Sequence, residues 1–348
     1  MRFLAVGALL ALFCSVAQAR NMPAADTTTH DQQFVTTSDG VKLEVLDYGG
    51  TGSPLIFLAG LGETAHDLDT VAARFTSMRH VYAITRRGFG ASDKPNPETA
   101  DYCADRLGDD VLEVIDKLRI EKPVIAGHSL AGEEMSSIGT RHPEKVTGLI
   151  YLDAGYAYAL YVPGNTAPLG SNLIIAAKSL RAKLAEIKLT PGTNPDAANK
   201  LNDLQAALPS FEKDMAAARK ALAEGDTIPA LPDMPSSRIA AAIINGQEAY
   251  FGNRLPILAF YAIQTIPAKA SPPAAADLQK QNAATLAQAD AFAAANHNAR
   301  VVRLNDAVHA IWTSNAEEVF REMTAFMNGL PVRNKSEVSA ANVHQGTE

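Results

Sequence analysis

Short, continuous apolar runs alternate with amphipathic helical stretches through much of this 348-residue chain, and few folds accommodate that rhythm. Runs at 54–59, 81–85, 123–126 and 146–152 are separated by helical patterns at 67–77, at 99–118 and after residue 129. Strands that are apolar on both faces need cover on both faces, and crossover helices supply it. The rhythm predicts a mostly parallel sheet flanked by helices. Ahead of it, Ser38-Asp39-Gly40 lies between β-rich runs at 33–37 and 41–48. Asp-Gly in that setting predicts a hairpin.

The alternation breaks over residues 155–254. Leu173, Ala177, Leu180, Leu184 and Ile187 recur at helical spacing, as do Leu201, Leu204 and Leu208, and prolines punctuate 231–235. With strands resuming afterwards, this stretch reads as a helical cap inserted after the sixth strand; a separate helical domain is the alternative. Strand runs return at 255–262 and 300–304, with an Ala-rich helix over 274–296 between them. A last helix is expected from Ser314-Asn315, with Glu318 as capping-box partner and Val319, Met323 and Phe326 buried. The predicted division is a core over 20–154 and 255–330, a cap over 155–254, and a polar tail over 331–348.

Residues 1–19 have the pattern of a secretory signal. Arg2 precedes an apolar run at 3–13, and Ala17-Gln18-Ala19 fits the small-x-small cleavage rule. The run is shorter than the ~20 residues needed to span a bilayer, so an uncleaved anchor is the weaker alternative. Export to the periplasm or medium is expected, with no stable membrane insertion after cleavage. Cleavage would remove Cys14 and leave Cys103, which cannot form an internal disulfide and is expected to be structural within its helical stretch. The composition, 47% hydrophobic and 20% charged with a net charge of −7, is that of a soluble globular protein. An acidic balance without a basic cluster argues against nucleic acid or an anionic membrane as main partner. A small-molecule substrate is the expected partner; oligomeric state is not legible.

In Val124-Ile125-Ala126-Gly127-His128-Ser129-Leu130-Ala131-Gly132, an apolar run ends in a serine between small residues and a helical pattern follows. This is the layout of a nucleophile elbow, although Ala131 stands where the pattern usually has glycine. A serine hydroxyl needs a base to take its proton, and the base needs a third group to hold it. His309 lies between the last predicted strand and the last predicted helix, where such a base is required.

With these residues in place, the chain resembles the α/β-hydrolase superfamily from about residue 33 to 328, apart from the insert. Leu58-Ala59-Gly60-Leu61-Gly62 resembles the superfamily's His-Gly-x loop, with Ala59 in place of histidine. Arg86-Arg87-Gly88-Phe89-Gly90-Ala91-Ser92-Asp93 resembles its Arg-Gly-x-Gly-x-Ser-Asp segment. The resemblance implies an eight-stranded, mostly parallel sheet and a serine hydrolase with Ser129 as nucleophile and His309 as base. It also implies an oxyanion hole made by the backbone N–H groups of Leu61 and Leu130. Arg86, Arg87 and Asp93 would be structural, and His128 would support the elbow. The usual acid position, after the strand that follows the cap, has no carboxylate before Asp277. Asp153, at the end of the sixth strand, is therefore the candidate acid, with Asp306 the alternative. Glu133 and Glu134 are read as favourable charges at a helix N-terminus, with support of the acid by Glu133 as the other reading.

The expected activity is hydrolysis of a small or medium, largely apolar carboxylic ester, without metal or organic cofactor. An aminopeptidase, a lactonase or a cofactor-free haloperoxidase with the same triad are the alternatives; the aminopeptidase would use Glu133 or Glu134 to bind an amine. A non-catalytic ligand-binding protein is a further one.

Overall fold

The structure is a computed structural model that describes residues 29–162, 171–185, 187, 195–223 and 235–330. The expected signal at 1–19 and the tail at 331–348 lie outside the described residues.

Ser38-Asp39-Gly40 turns the chain between strands β1 (Asp31–Thr36) and β2 (Lys42–Gly49), which pair antiparallel. Gly40 adopts φ +86°, a conformation that a side chain would resist. The later apolar runs form β3 (Pro54–Leu58), β4 (His80–Ile84), β5 (Val124–His128), β6 (Gly148–Leu152), β7 (Ile257–Ile263) and β8 (Ala299–Asn305). All eight join one sheet in the order β1-β2-β4-β3-β5-β6-β7-β8, parallel from β4 onward.

Alternating residues of the central strands feed two separate cores. Ile56, Leu58, Ile125, Leu149, Tyr151 and Tyr261 face helices α1 (Ala104–Lys117), α2 (Ala131–Arg141) and α6 (Pro272–Ala295). Leu55, Phe57, Val124, Ala126, Ile150 and Phe260 face Phe75, Trp312 and the final helix α7 (Ala316–Gly329). Because β3 lies between β4 and β5, the connections leaving β3 and β5 depart to opposite sides of the sheet. Such a switch point leaves a crevice at the carboxyl ends of the strands. Ser129 and the loop at 59–63 both lie there.

Between β6 and β7 the described residues contain three helices, α3 (Ser171–Ala185), α4 (Pro195–Ala223) and α5 (Pro235–Asn245), and no strand. Ile239 and Ile243 of α5 pack on Leu130, Phe89, Tyr102 and Leu107, which puts α5 over the elbow. The leucine spacing in α3 and α4 does not mark their buried side: Leu184, Leu201 and Leu208 are exposed. Ile175 and Ala176 pack instead with Tyr161 and Phe211.

Two local expectations are corrected. Residues 67–77 do not form one helix but three short turns, Ala65–Leu68, Asp69–Ala72 and Ala73–Phe75. Their buried residues are Ala65, Leu68, Asp69, Val71, Ala72 and Phe75. The capping box of α7 is also absent. Asn315 is its N-cap without a side-chain capping bond, because its Oδ1 accepts from Ser314 Oγ at 2.7 Å and its Nδ2 donates to the Asn305 carbonyl at 3.2 Å.

Candidate active site

The chain leaves β5 through Ser129, which is forced to φ +52°, and enters α2 at Ala131. The small residues around it follow from close packing. A Cβ on Gly127 would lie 2.8 Å from Met135 Cε and 2.9 Å from the Ala131 methyl. A Cβ on Gly132 would lie 2.0 Å from the Ala154 carbonyl oxygen. The steric demand of this elbow therefore falls on position 132, which is why alanine is accommodated at 131.

Ser129 Oγ lies 2.8 Å from His309 Nε2, and His309 Nδ1 lies 2.6 Å from Asp153 Oδ2. Asp153 sits just past β6 at φ +49° and is buried. Its other oxygen accepts from the Ala262 N–H of β7 at 2.9 Å and from the Tyr156 hydroxyl at 2.6 Å. The carboxylate is thus fixed from both neighbouring elements before the histidine reaches it. Asp306 instead accepts from Thr265 Oγ1 at 2.6 Å. Burial opposes protonation of His309, but the hydrogen bond and charge of Asp153 outweigh it and raise the imidazole above its ordinary value.

Leu61 and Leu130 flank the serine from the loop after β3 and from the elbow. Neither backbone N–H has an intramolecular hydrogen-bond acceptor among the described residues. Arg86, buried, donates through Nη1 to the Gly60 carbonyl at 3.0 Å and through Nη2 to the Ala59 carbonyl at 2.8 Å. It also forms an ion pair with Glu134. The carbonyl side of the loop is thereby held by a charged group. Arg87 is fully buried against Asp110, with Nε and Nη2 each 2.6 Å from a carboxylate oxygen. Asp93 caps the edge of β2 through the Lys42 N–H at 2.8 Å.

Tyr156 and Tyr158 did not emerge from the sequence reading. Tyr158 is pushed well up by burial and the nearby Asp153 charge, while a hydrogen bond with the Ser129 side chain partly offsets the rise. The signal was the spacing Asp153-Ala154-Gly155-Tyr156-Ala157-Tyr158, two aromatics in alternation directly after the acid.

Glu133 differs from both sequence readings. It is fully buried, and neither carboxylate oxygen has a hydrogen-bond partner among the described residues. Burial, then the neighbouring Glu134, pushes its carboxyl well above 4.5 against the pull of Arg86 and Lys178. Both Asp153 oxygens are bonded to other residues, so Glu133 does not support that carboxylate directly. Cys103 caps α1, and burial pushes its thiol up to about 11, so it is not a thiolate at neutral pH. Among the described residues no cluster of three or more His, Cys, Asp or Glu could hold a metal ion, and no helix is long and apolar enough to cross a membrane.

A hydroxyl, an imidazole and a buried carboxylate stand in one hydrogen-bonded series, beside a loop and an elbow whose Leu61 and Leu130 N–H groups have no intramolecular acceptor among the described residues. That arrangement can transfer an acyl group. A family model described as the alpha/beta hydrolase family matches residues 50–322. A putative non-heme haloperoxidase of Mycobacterium phage D29 is 26% identical over 122 residues, 35% of this chain and 43% of that protein. A 2-hydroxymuconate semialdehyde hydrolase of Pseudomonas sp. (strain CF600) is 31% identical over 125 residues, again 35% of this chain and 43% of that protein. The chain thus spans less than half the length of these curated relatives. Among solved structures, a hydrolase from Pseudomonas aeruginosa PA01 superposes with TM-score 0.52 at 20% identity, covering 85% of this chain and 98% of that one. At that identity the likeness is one of fold.

Proposed function

Because this chain belongs to the alpha/beta hydrolase family, we propose that it is an exported serine hydrolase that cleaves small or medium, largely apolar carboxylic esters. One observation carries the reading: His309 bridges the Ser129 hydroxyl, at 2.8 Å, and the Asp153 carboxylate, at 2.6 Å.

In the proposed reaction His309 takes the Ser129 proton as the oxygen attacks the ester carbonyl. Asp153 holds the imidazole in the required tautomer and stabilises the imidazolium. The Leu61 and Leu130 N–H groups receive the oxyanion; in other hydrolases losing one such donor costs about 3–4 kcal/mol of barrier stabilisation. His309 then returns its proton to the departing alcohol. Water, deprotonated by the same histidine, releases the acid from the acyl-enzyme.

Preference for an apolar acyl group is supported by the side chains beside the elbow: Leu61, Phe89, Leu130, Ile239 and Ile243 form one cluster. Export is supported by the signal pattern of residues 1–19. The aminopeptidase reading loses its amine-binding carboxylates, since Glu134 is paired with Arg86 and Glu133 is fully buried. The test is a panel of p-nitrophenyl esters of increasing chain length beside amides and lactones, on wild type and Ser129→Ala. Ester turnover that disappears in Ser129→Ala supports the reading. Turnover confined to amides or lactones would overturn the ester assignment.

A further inference from the structure

We propose that Glu63 is a positioning residue of this site: one carboxylate oxygen fixes the oxyanion loop to the nucleophile elbow, and His128 carries the constraint to the histidine loop. The proposal rests on the serine-hydrolase reading above.

Glu63 Oε2 accepts from the Gly60 N–H at 2.8 Å and from His128 Nδ1 at 2.7 Å. His128, buried and directly before Ser129, places Nε2 3.2 Å from the His309 carbonyl oxygen. Both of its nitrogens therefore face oxygen atoms. The ring is tilted against His309 at 4.5 Å between centroids, with Trp312 packed edge-on at 4.7 Å. One oxygen and one imidazole thus connect the loops that follow β3, β5 and β8.

The packing at this junction leaves no slack. A Cβ on Gly60 would stand 2.7 Å from Glu63 Oε2 and 3.0 Å from His128 Nδ1. Ala59, where the resemblance calls for histidine, offers no polar side chain to anchor the loop. Arg86 holds the loop by its carbonyls, and Glu63 holds it by an N–H next to Leu61. Burial works against ionisation of Glu63, but the His128 hydrogen bond and charge outweigh it and keep the carboxyl below its ordinary range. An ionised oxygen can accept both bonds. Oxyanion donors stabilise the transition state only when held at hydrogen-bond distance from the developing charge, so a loose loop lowers kcat before it weakens substrate binding.

The test compares Glu63→Ala, Glu63→Gln, Gly60→Ala and Ser129→Ala with wild type in ester kinetics and in affinity for an alkylboronic acid. Boron bonds to Ser129 Oγ, the serine proton passes to His309, and the tetrahedral anion occupies the oxyanion position. Glu63→Ala should lower kcat and boronate affinity together, by about tenfold or more, with KM within about twofold. Glu63→Gln, whose amide oxygen can accept both bonds, should recover most of the loss. Gly60→Ala crowds the junction from the loop side and should act like Glu63→Ala, which keeps the test intact if the latter fails to fold. Folded Glu63→Ala or Gly60→Ala with wild-type kcat and boronate affinity would overturn the proposal, as would a loss confined to KM. Hydrolysis that survives in Ser129→Ala would instead remove the serine reading itself.

Discussion

Asp153 and His309, 156 positions apart in the chain, meet at 2.6 Å through Oδ2 and Nδ1. The Asp153 carboxylate lies at the end of β6, beside the β5 strand that leads to Ser129, and is held there by the Ala262 N–H and the Tyr156 hydroxyl. Asp153→Asn keeps an oxygen for those two donors, so the fold should survive. Its kcat should fall on the order of 10³–10⁴-fold, as when a triad histidine is left in the wrong tautomer. Asp306→Asn should stay close to wild type. Steady-state kinetics on both variants checks this, and the reverse ranking would move the acid to Asp306.

The pH profile follows from the same pair. His309 must be neutral to act as base, and Asp153 raises it above 6.5 despite burial. kcat/KM should therefore fall on the acid side with a midpoint above 6.5. Removing the Asp153 charge leaves burial dominant, so the midpoint in Asp153→Asn should move down. A midpoint that stays put would separate the kinetic base from this ion pair.

Much of the arrangement was legible because the strongest constraints are local. The alternating runs dictated a parallel sheet, and the small residues beside Ser129 and the place of His309 after the last strand followed from steric and chemical need. The acid was narrowed by the absence of a carboxylate after β7. The linkages through space were not legible. Nothing in sequence spacing brings Glu63 to His128, 65 positions away, or the Tyr158 phenol to Ser129. The leucine stripe of α3 and α4 misled because amphipathic spacing does not say which side has a partner. The missing capping box fails similarly, since the Asn315 side chain is taken by Ser314 and the Asn305 carbonyl.

The elbow glycine gives a stability prediction. A methyl group on Gly132 would meet the Ala154 carbonyl at 2.0 Å, and that backbone cannot give way without shifting Asp153. Gly132→Ala should lose about 1–3 kcal/mol, the usual range for overpacking, together with activity. Ala131→Gly, which removes only a methyl, should retain the fold. Urea denaturation ranks the two, and a stable, active Gly132→Ala would contradict the steric account.

Glu133 predicts a pH-dependent stability. Its carboxyl is raised well above 4.5 in the folded protein, so the folded state binds this proton more firmly than the unfolded chain. The stabilisation is full below about pH 4.5 and is lost as pH rises through the folded value. Glu133→Gln does not titrate. Its urea midpoint relative to wild type should rise between pH 5 and pH 8. A difference that is flat across that range would show that Glu133 is ionised or partnered in solution.

The central claim is that Ser129 carries the acyl group. Rapid acid quench of the enzyme during turnover of a p-nitrophenyl ester, followed by peptide mass spectrometry, tests it directly. The account predicts the mass of the acyl group on the peptide containing Ser129 and none in Ser129→Ala, which should also be inactive. An acyl group on another residue, or undiminished hydrolysis by Ser129→Ala, would contradict it.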